Sequence, residues 1–437
     1  MTKPGKSFFM TNQDTLAKKQ IEFILKSTKK INLAWGSMRA GKTVAITYRF
    51  MQAAHDCPDS DIWMIGHTSS TIYDNVISLI LNRPAEGLPD PLGIFRPFCV
   101  WYESKRELRF GEKTIHTIGA KDKSAAGIIQ GKTMSLCYCD EMTLYDPLII
   151  DTIETRLSRP HSQLFASLNP THPAHKLKKW IDYAKEKDPS YYELQFTVED
   201  NPFLPEKYKS DLKKSLSGVF YKRNYLGLWC LAEGAIFDFF DRSLYVVDRP
   251  PRAGQYWIAG VDFGTNNAFA CVLIGVFPQE KKWWVEKEYY WDSKKTGRQK
   301  LIHELAQDVN EMCQAYGVRL TYLDPSALPF KLELRALGMH VVDKVNNDVE
   351  QGIQILTSEI KRGNLSIVKD CTNLIREIEG YVWDSKRAEK GYDEPIKKDD
   401  HAIDALRYAV ATHKISNFNE DDYYQRRQRG MGQGGRF

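Results

Sequence analysis

The residues Gly36-Ser37-Met38-Arg39-Ala40-Gly41-Lys42-Thr43 are the most informative segment of the sequence. It fits the pattern G-x-x-x-x-G-K-[ST], in which a glycine-rich turn joins a strand to a helix. The apolar run 31–35 before it predicts a buried strand, and the run 43–54 after it predicts a helix. Backbone N–H groups at such a junction form a cradle for phosphate, so all eight residues are predicted to bind a nucleoside triphosphate.

Two acids downstream complete the predicted nucleotide site. The apolar run 134–139 predicts a short buried strand, and Asp140 and Glu141 follow it directly. Ligands collect at the carboxyl ends of parallel strands, so this pair is expected beside the phosphate loop. We expect Asp140 to hold Mg²⁺ and Glu141 to orient or deprotonate the attacking water. Lys42 would contact the β- and γ-phosphates, and Thr43 would hold Mg²⁺.

Length and composition are those of an ordinary folded protein. The 437 residues allow two domains, and the hydrophobic and charged fractions are 42% and 27%. The net charge of +5 is modest, so any surface for nucleic acid must be local. The sequence has no apolar stretch of membrane-spanning length, and we expect no secretory leader. We interpret its eight cysteines as reduced core residues of a cytosolic protein.

The order of predicted strands and helices divides the chain in two. Strands and helices alternate in the first half, which favours an α/β ATPase domain over 1–232 with a helical lid from about 198. Paired prolines and nearby glycines predict a linker over 233–253. Fresh apolar strands then predict a second domain over 254–416, followed by a flexible basic tail over 417–437.

Several acids of the second domain lie at the boundaries of predicted elements. Asp262 adjoins one apolar strand and Asp324 ends another, while Asp400 and Asp404 lie one turn apart on a helix beside His401. Such a cluster suits two Mg²⁺ or Mn²⁺ ions that generate hydroxide and stabilise the leaving oxygen of a phosphodiester. Each acid alone also has a structural explanation, since Asp324 precedes a proline and Asp400 is a good helix N-cap.

Together with further motifs, these residues resemble the large terminase subunit of tailed bacteriophages or a prophage. The further motifs are Gln20, Arg39, Ser167-Leu168-Asn169-Pro170, Asp200-Asn201-Pro202, Gly227-Leu228-Trp229, Gly260-Val261-Asp262-Phe263-Gly264 and Asp400-His401-Ala402-Ile403-Asp404-Ala405-Leu406-Arg407-Tyr408. The resemblance covers nearly the whole chain, and the last motif is the most specific. It implies an α/β protein with an N-terminal ASCE-type P-loop ATPase domain, a small helical lid and a C-terminal ribonuclease-H-like nuclease domain.

The resemblance also implies roles for residues of the ATPase domain. Gln20 would contact adenine, although it could equally be a solvated helix residue. Arg39 would be catalytic, because a guanidinium there can stabilise charge on the transferring phosphate. Ser167 and Asn169 would couple hydrolysis to movement. A trans-acting arginine is expected from a neighbouring subunit, and Arg156 and Arg159 are candidates for it, although either could instead pair with surface acids.

For the nuclease domain, the resemblance implies a two-metal site. Asp262, Asp324 and Asp404 would be the catalytic metal-binding acids, with Asp400 as a possible further ligand and His401 as a near neighbour. The sequence does not decide whether Asp400 or Asp404 is the stronger ligand.

The implied activity is that of a DNA-packaging motor. ATP hydrolysis would translocate double-stranded DNA into a procapsid, and the nuclease would cut the concatemer. The implied partners are a portal protein, a small terminase subunit and further copies of the chain in a ring. The motor would work in the host cytoplasm, transiently on the portal vertex, with no membrane partner. Two rival functions remain: a cellular helicase–nuclease of DNA repair, and a portal-docking scaffold ATPase with a vestigial nuclease.

Overall fold

The computed structural model describes residues 15–121, 124–250, 253–264 and 268–415. These residues form two compact units. The first contains the described chain up to Lys213 together with 218–232 and 388–392, and the second contains 214–217, 233–387 and the described chain from Asp393. The tail predicted over 417–437 lies outside the described residues.

Within the described part of the chain, no helix combines the length and the apolarity needed to cross a membrane.

The first unit is built on an eight-stranded sheet with the order β3-β4-β5-β2-β6-β7-β1-β8. Its strands are β1 Ile31–Gly36, β2 Ile62–Gly66, β3 Cys99–Tyr102, β4 Glu107–Phe110, β5 Lys113–Gly119, β6 Leu136–Cys139, β7 Gln163–Leu168 and β8 Tyr191–Phe196. The β3–β4 and β4–β5 pairs are antiparallel. The other neighbouring pairs of this sheet, in the order β5-β2-β6-β7-β1-β8, are parallel. The predicted strands at 31–35 and 134–139 are thus β1 and β6, with β7 between them.

Helices cover both faces of this sheet. The helices of this part of the chain are α1 Lys18–Lys26, α2 Lys42–Asp56, α3 Ser69–Ile72, α4 Ser78–Leu81, α5 Ser124–Gln130, α6 Pro147–Arg156, α7 Lys176–Lys185, α8 Glu206–Ser215 and α9 Gly218–Phe220. One core cluster joins the sheet to α1 and α2, and another joins it to α5, α6 and α7. Because both faces are covered, β1 is buried along its whole length, as central parallel strands are.

The second unit contains a six-stranded mixed sheet with the order β13-β10-β11-β12-β14-β9. Its strands are β9 Val246–Val247, β10 Tyr256–Asp262, β11 Phe269–Phe277, β12 Lys282–Trp291, β13 Val318–Leu323 and β14 Leu365–Val368. The helices of this part of the chain are α10 Arg242–Tyr245, α11 Ser293–Thr296, α12 Ile302–Tyr316, α13 Leu328–Ala336, α14 Val349–Lys361, α15 Thr372–Gly380, α16 Ser385–Glu389 and α17 His401–Ile415.

The segment 233–253, predicted as a linker, contains regular structure. Helix α10 and strand β9 lie within it, and β9 pairs in parallel with β14. A two-residue strand has no periodicity of its own, so its pairing partner rather than local sequence determines it.

Helix α17 lies directly against β10 because Gly260 has no side chain. A Cβ atom added at Gly260 would lie 2.0 Å from the carbonyl oxygen of Ala405. This backbone contact brings the first turns of α17 next to the end of β10, where Asp262 lies.

Gly260→Ala is therefore expected to lower the free energy of unfolding of the second unit by about 3 kcal/mol, because neither backbone can yield without moving α17. Urea unfolding followed by circular dichroism measures the change. Gly380→Ala is the control, since a Cβ there meets nothing within 4 Å. A Gly260→Ala variant as stable as the control would contradict the close approach of α17.

Candidate active sites

The phosphate loop follows β1 and has a backbone that only its glycines fit easily. Gly36 has φ +132°, and a Cβ there would lie 1.8 Å from the carbonyl oxygen of Phe196. Gly41 has φ +88° and immediately precedes α2. Arg39 is exposed with φ 56°, and its carbonyl accepts a hydrogen bond from Asn201 Nδ2 at 2.8 Å. Strain at a non-glycine residue such as Arg39 is typical of functional loops.

Backbone carbonyls of strand β8 and of the predicted lid hold the first half of the phosphate loop. Ser37 N donates to Phe196 O at 2.9 Å, and Met38 N donates to Asn224 O at 3.2 Å. The N–H groups in the first turn of α2 have no partner within the helix by its geometry. They are therefore the donors suited to phosphate.

Lys42 begins α2 and its ammonium group is buried. Nζ donates to Gly36 O at 3.1 Å, Ser37 O at 2.6 Å and Asn169 Oδ1 at 2.9 Å. Burial lowers the pKa of Lys42 to about 8, although the two acids after β6 act to raise it. Thr43 is half-buried in the same helical turn.

Asp140 lies at the carboxyl end of β6 and is held by three neighbours. Its Oδ1 accepts from Ser167 Oγ at 2.9 Å and from Tyr138 Oη at 3.3 Å. Its Oδ2 accepts from Asn75 Nδ2 at 2.9 Å. Asn75 lies on the π-helical turn Tyr73–Ile77, and sequence reasoning missed it because no motif marks that turn.

Glu141 has a left-handed backbone, with φ 49°. Its N–H donates to Ser167 Oγ at 2.7 Å, and its Oε1 accepts from Asn169 Nδ2 at 3.4 Å. Burial and the neighbouring Asp140 raise the pKa of Glu141, while Lys42 and Asn169 oppose this rise. Asn169 thus contacts Lys42 through its oxygen and Glu141 through its nitrogen.

Gln20 lies in the wall of the phosphate loop. It is buried, its Oε1 accepts from Ala17 N at 2.8 Å, and its Nε2 donates to Gly41 O at 3.0 Å. These bonds fix the loop to α1. The contact with adenine stays a prediction.

Arg156 ends α6 and Arg159 follows shortly after it, toward the edge of the sheet where β2 begins. Arg156 Nη1 donates to Gln130 O at 2.9 Å, and Arg159 Nη2 pairs with Asp61 at 2.6 Å. The phosphate loop lies at the opposite edge, so neither arginine reaches the nucleotide site of its own chain.

The fit of a nucleotide can be tested by pH, because a neutral Lys42 cannot pair with phosphate. The pKa of Lys42 is about 8 in the folded chain, and phosphate will raise it on binding. The affinity for an ATP analogue is therefore expected to fall as pH rises above about 8, approaching tenfold per pH unit. At a pH above about 8, calorimetry in buffers of different ionisation enthalpy should detect proton uptake on binding that approaches one proton. A Lys42→Arg control should lose this pH dependence, because arginine stays charged.

The second candidate site lies at the carboxyl ends of β10 and β13. These strands are parallel neighbours, and Val261 pairs with Leu323, the residues directly before Asp262 and Asp324. Asp262 Oδ2 and His401 Nδ1 are hydrogen-bonded at 2.9 Å. Burial raises the pKa of Asp262, and the nearby acids of α17 add to this rise.

Asp324 is engaged differently from Asp262. Its Oδ2 accepts from Tyr408 Oη at 2.8 Å, and its Oδ1 accepts from Ser326 N at 2.7 Å. Burial acts to raise the pKa of Asp324, but these hydrogen bonds outweigh it and the pKa is lowered. Asp324 is therefore held as a carboxylate at the strand end.

Asp400 and Asp404 are both buried at the start of α17. Asp404 Oδ1 accepts from Arg407 Nε at 3.2 Å and Nη2 at 3.1 Å. Asp400 Oδ2 is buried and makes no hydrogen bond, and Lys397 Nζ lies 3.5 Å away. Burial and Asp404 raise the pKa of Asp400.

Glu377, on α15, supports this helix start and was missed by sequence reasoning. Its Oε2 accepts from Ala402 N at 2.6 Å and Ile403 N at 3.1 Å, so it caps α17. Burial raises the pKa of Glu377 to about 7. The predicted capping acid was Asp400, but Glu377 supplies the carboxylate to these N–H groups from a different helix.

Carboxylates are ligands that Mg²⁺ and Mn²⁺ prefer, so the acids of the second candidate site suit the predicted metal by chemical type. Among the described residues, no three His, Cys, Asp or Glu side chains lie close enough together to hold a metal ion as they are positioned. Basic or hydroxyl groups engage the acids instead. The unbonded, buried Asp400 Oδ2 is nevertheless an oxygen for which a cation is a suitable partner.

Comparisons of the N-terminal and C-terminal parts of the chain with known proteins identify the same family. The family described as "Terminase large subunit, T4likevirus-type, N-terminal" matches residues 33–244, and "Terminase RNAseH like domain" matches residues 331–412. The large terminase subunit of Escherichia phage T5 is 22% identical over 232 residues, which are 51% of this chain. The match spans 52% of that protein, about half of its length.

A solved structure resembles nearly the whole chain. The large terminase of a thermophilic bacteriophage is 30% identical, with a TM-score of 0.79 over 91% of this chain and 98% of that one. Structures of the same protein in complex with ATP-gamma-S and with ADP have TM-scores of 0.77 and 0.78, also at 30% identity over 91% of this chain, and cover 98% and 99% of those chains.

These matches confirm the predicted fold class, an α/β protein with an N-terminal terminase ATPase fold and a ribonuclease-H-like domain at its C-terminus. The chain belongs to the large terminase subunit family of bacteriophages, a family of DNA-packaging proteins.

Proposed function

We propose that this chain hydrolyses ATP to translocate double-stranded DNA into a procapsid and cuts concatemeric DNA with a two-metal endonuclease. The observation that carries the ATPase proposal is Asn169, which contacts Lys42 and Glu141 with its two amide atoms. One side chain thereby contacts both the lysine proposed to bind phosphate and the glutamate proposed to activate water. Support for nucleotide binding comes from the related terminase in complex with ATP-gamma-S and ADP.

The proposed ATPase mechanism uses residues on three strand ends. The loop 36–43 binds the phosphates through the N–H groups at the start of α2, and Lys42 moves from its carbonyl partners to the β- and γ-phosphates. Thr43 and Asp140 would hold Mg²⁺, which neutralises phosphate charge when bound. Glu141 accepts the proton of the attacking water, and its raised pKa makes it a better base than a solvated glutamate.

Arg39 has the role of stabilising charge on the transferring phosphate. It is exposed on the loop, where a guanidinium can turn toward a nucleotide. Gln20 would position the loop through Gly41 and contact adenine from α1.

Coupling to movement would run through the residues around Asn169. Ser167 Oγ accepts from Glu141 N and donates to Asp140, so it links the two acids. Loss of the γ-phosphate would therefore change the hydrogen-bond partners of this linked group. We propose that this change reaches the lid, from about 198 to 232, through the bonds of Asn201 and Asn224 to the loop.

The proposed nuclease lies in the domain 254–416 and uses Asp262, Asp324 and the acids of α17. Asp404 Oδ2 and Asp400 Oδ2 lie 3.3 and 3.5 Å from the Lys397 ammonium, positions that suit a cation, so we include both acids as ligands, with His401 orienting Asp262. Two Mg²⁺ or Mn²⁺ ions would supply a hydroxide and stabilise the leaving oxygen. Arg407 and Tyr408 orient Asp404 and Asp324.

The proposed partners follow from the packaging role. They are double-stranded DNA, a portal protein, a small terminase subunit and further copies of this chain in a ring. The motor would act in the host cytoplasm at the portal vertex. In this proposal the segment 233–253 connects the ATPase domain to the nuclease domain, and residues 417–437 form a basic tail.

A single preparation of the full chain tests the proposal. ATP hydrolysis with double-stranded DNA, metal-dependent plasmid cleavage and DNA uptake into procapsids are measured side by side. Packaging with both enzymatic activities supports the motor. Strand displacement without packaging would indicate a helicase–nuclease, and ATPase activity without cleavage under Mg²⁺ or Mn²⁺ would indicate a scaffold with a vestigial nuclease.

A further inference from the structure

Lys397 precedes α17 and its ammonium group contacts two of the acids of that helix. Nζ lies 3.3 Å from Asp404 Oδ2 and 3.5 Å from Asp400 Oδ2. The other oxygen of Asp404 is engaged by Arg407. Lys397 therefore contacts the Asp404 oxygen that Arg407 does not bond and the buried Asp400 oxygen that makes no hydrogen bond.

The burial of the three side chains is unequal. The side chains of Asp400 and Asp404 are 8% and 9% exposed, whereas that of Lys397 is 61% exposed. Two buried carboxylates one helical turn apart repel each other and require a cation nearby. A largely exposed lysine supplies that charge, yet its contacts are weak enough for it to leave for solvent or for another anion.

Hydrogen bonds anchor the backbone beside Lys397, so the ammonium group can change its partners by movement of the side chain alone. Ile396 N donates to Val382 O at 3.0 Å, and Lys398 N donates to Ile396 O at 2.9 Å. Asp399 has φ 49°, a conformation that turns the chain sharply between Lys397 and α17. The segment thus holds the lysine stem above the two acids.

We propose that Lys397 is an internal counter-ion that competes with a divalent cation for the oxygens of Asp400 and Asp404 and so restrains the nuclease at low metal concentration. The inference rests on the proposed nuclease function. The ammonium group contacts oxygens of both acids, so these oxygens would become available to a metal when Lys397 turns away. A backbone phosphate of DNA offers the displaced ammonium a new partner.

Mn²⁺ binding to the full chain tests this competition, with Lys397→Met compared with the wild type by calorimetry. We expect Lys397→Met to bind Mn²⁺ about tenfold more tightly, the order of effect for removing a hydrated unit charge about 4 Å away. Lys397→Arg keeps the charge and should bind as the wild type does. Lys398→Met is the matched control, because that exposed neighbour forms none of the ion pairs found among the described residues.

Thermal unfolding provides a second measurement that does not depend on activity. In EDTA, Lys397→Met should melt below the wild type, because its buried acids lose their counter-ion. Mn²⁺ should then raise its melting temperature more than that of the wild type. Plasmid cleavage should accordingly begin at a lower Mn²⁺ concentration.

The outcomes separate this inference from the proposed function. If the wild type and Asp262→Asn give the same Mn²⁺ binding, the proposed metal site fails, whatever Lys397 does. If the wild type binds Mn²⁺ at that site and Lys397→Met binds it equally or more weakly, the competition is overturned. A weaker binding would assign Lys397 to the support of the site instead.

Discussion

Glu141→Gln is expected to lower the rate of ATP hydrolysis by about 10²–10⁴-fold, the range for removal of a positioned general base. The substitution keeps the size of the side chain and its contact with Asn169. It removes the carboxylate, whose pKa burial and Asp140 have raised toward the range useful for accepting a proton. The rate with double-stranded DNA at saturating ATP measures the effect.

Nucleotide affinity separates loss of chemistry from loss of the site. Glu141→Gln should bind an ATP analogue at least as tightly as the wild type, because one negative charge near the γ-phosphate is gone. Glu112→Gln makes the same chemical change at an exposed turn and should retain full activity. A folded Glu141→Gln enzyme that keeps more than about a tenth of its activity would show that another group activates the water.

The parts of the nucleotide site that could be predicted from sequence are those with a local signature. The glycines of residues 36–41 are required by the backbone itself, and Asp140 and Glu141 follow an apolar strand directly. Parallel strands then bring these stretches to one edge of the sheet. Local sequence patterns and sheet topology together therefore predict which residues meet at this edge, without knowledge of side-chain contacts.

The residues that sequence reasoning missed reach the sites from elsewhere in the chain. Asn75 is 65 residues from Asp140, and Glu377 is 25 residues from Ala402. Each lies on a helix or helical turn with no motif, so only tertiary packing reveals its partner. Strand β9 was missed for the same reason, since its two residues become a strand only by pairing with β14.

The sequence left the roles of Asp400 and Asp404 open, and the geometry distinguishes their surroundings. Asp404 is fixed by the buried Arg407, whereas Asp400 Oδ2 makes no hydrogen bond and lies 3.5 Å from the Lys397 ammonium. Spacing along a helix places both acids on one face, but it carries no information about which oxygen is already bonded. Which of the two acids is the stronger metal ligand depends on their neighbours Arg407 and Lys397, which the spacing of the acids does not specify.

Asp262→Asn is expected to reduce metal-dependent DNA cleavage by ~10³-fold or more while leaving ATP hydrolysis intact. Charge stabilisation by a metal ion contributes several kcal/mol, and each 1.4 kcal/mol is a factor of about ten in rate. The amide keeps the size of Asp262 and a hydrogen-bonding group for His401, but it is a poor ligand for a hard cation. Conversion of supercoiled plasmid to linear DNA, with Mg²⁺ or Mn²⁺, measures the loss.

Stability distinguishes this result from unfolding. Because burial raises the pKa of Asp262, its ionised form is disfavoured in the folded protein, and a neutral amide should leave the protein at least as stable at neutral pH. Asp370→Asn, at an exposed turn of the same unit, is the control and should cut DNA normally. Cleavage that persists in a folded Asp262→Asn protein would remove Asp262 from the nuclease site. Loss of both cleavage and ATP hydrolysis would indicate instead that the substitution disturbs the whole chain.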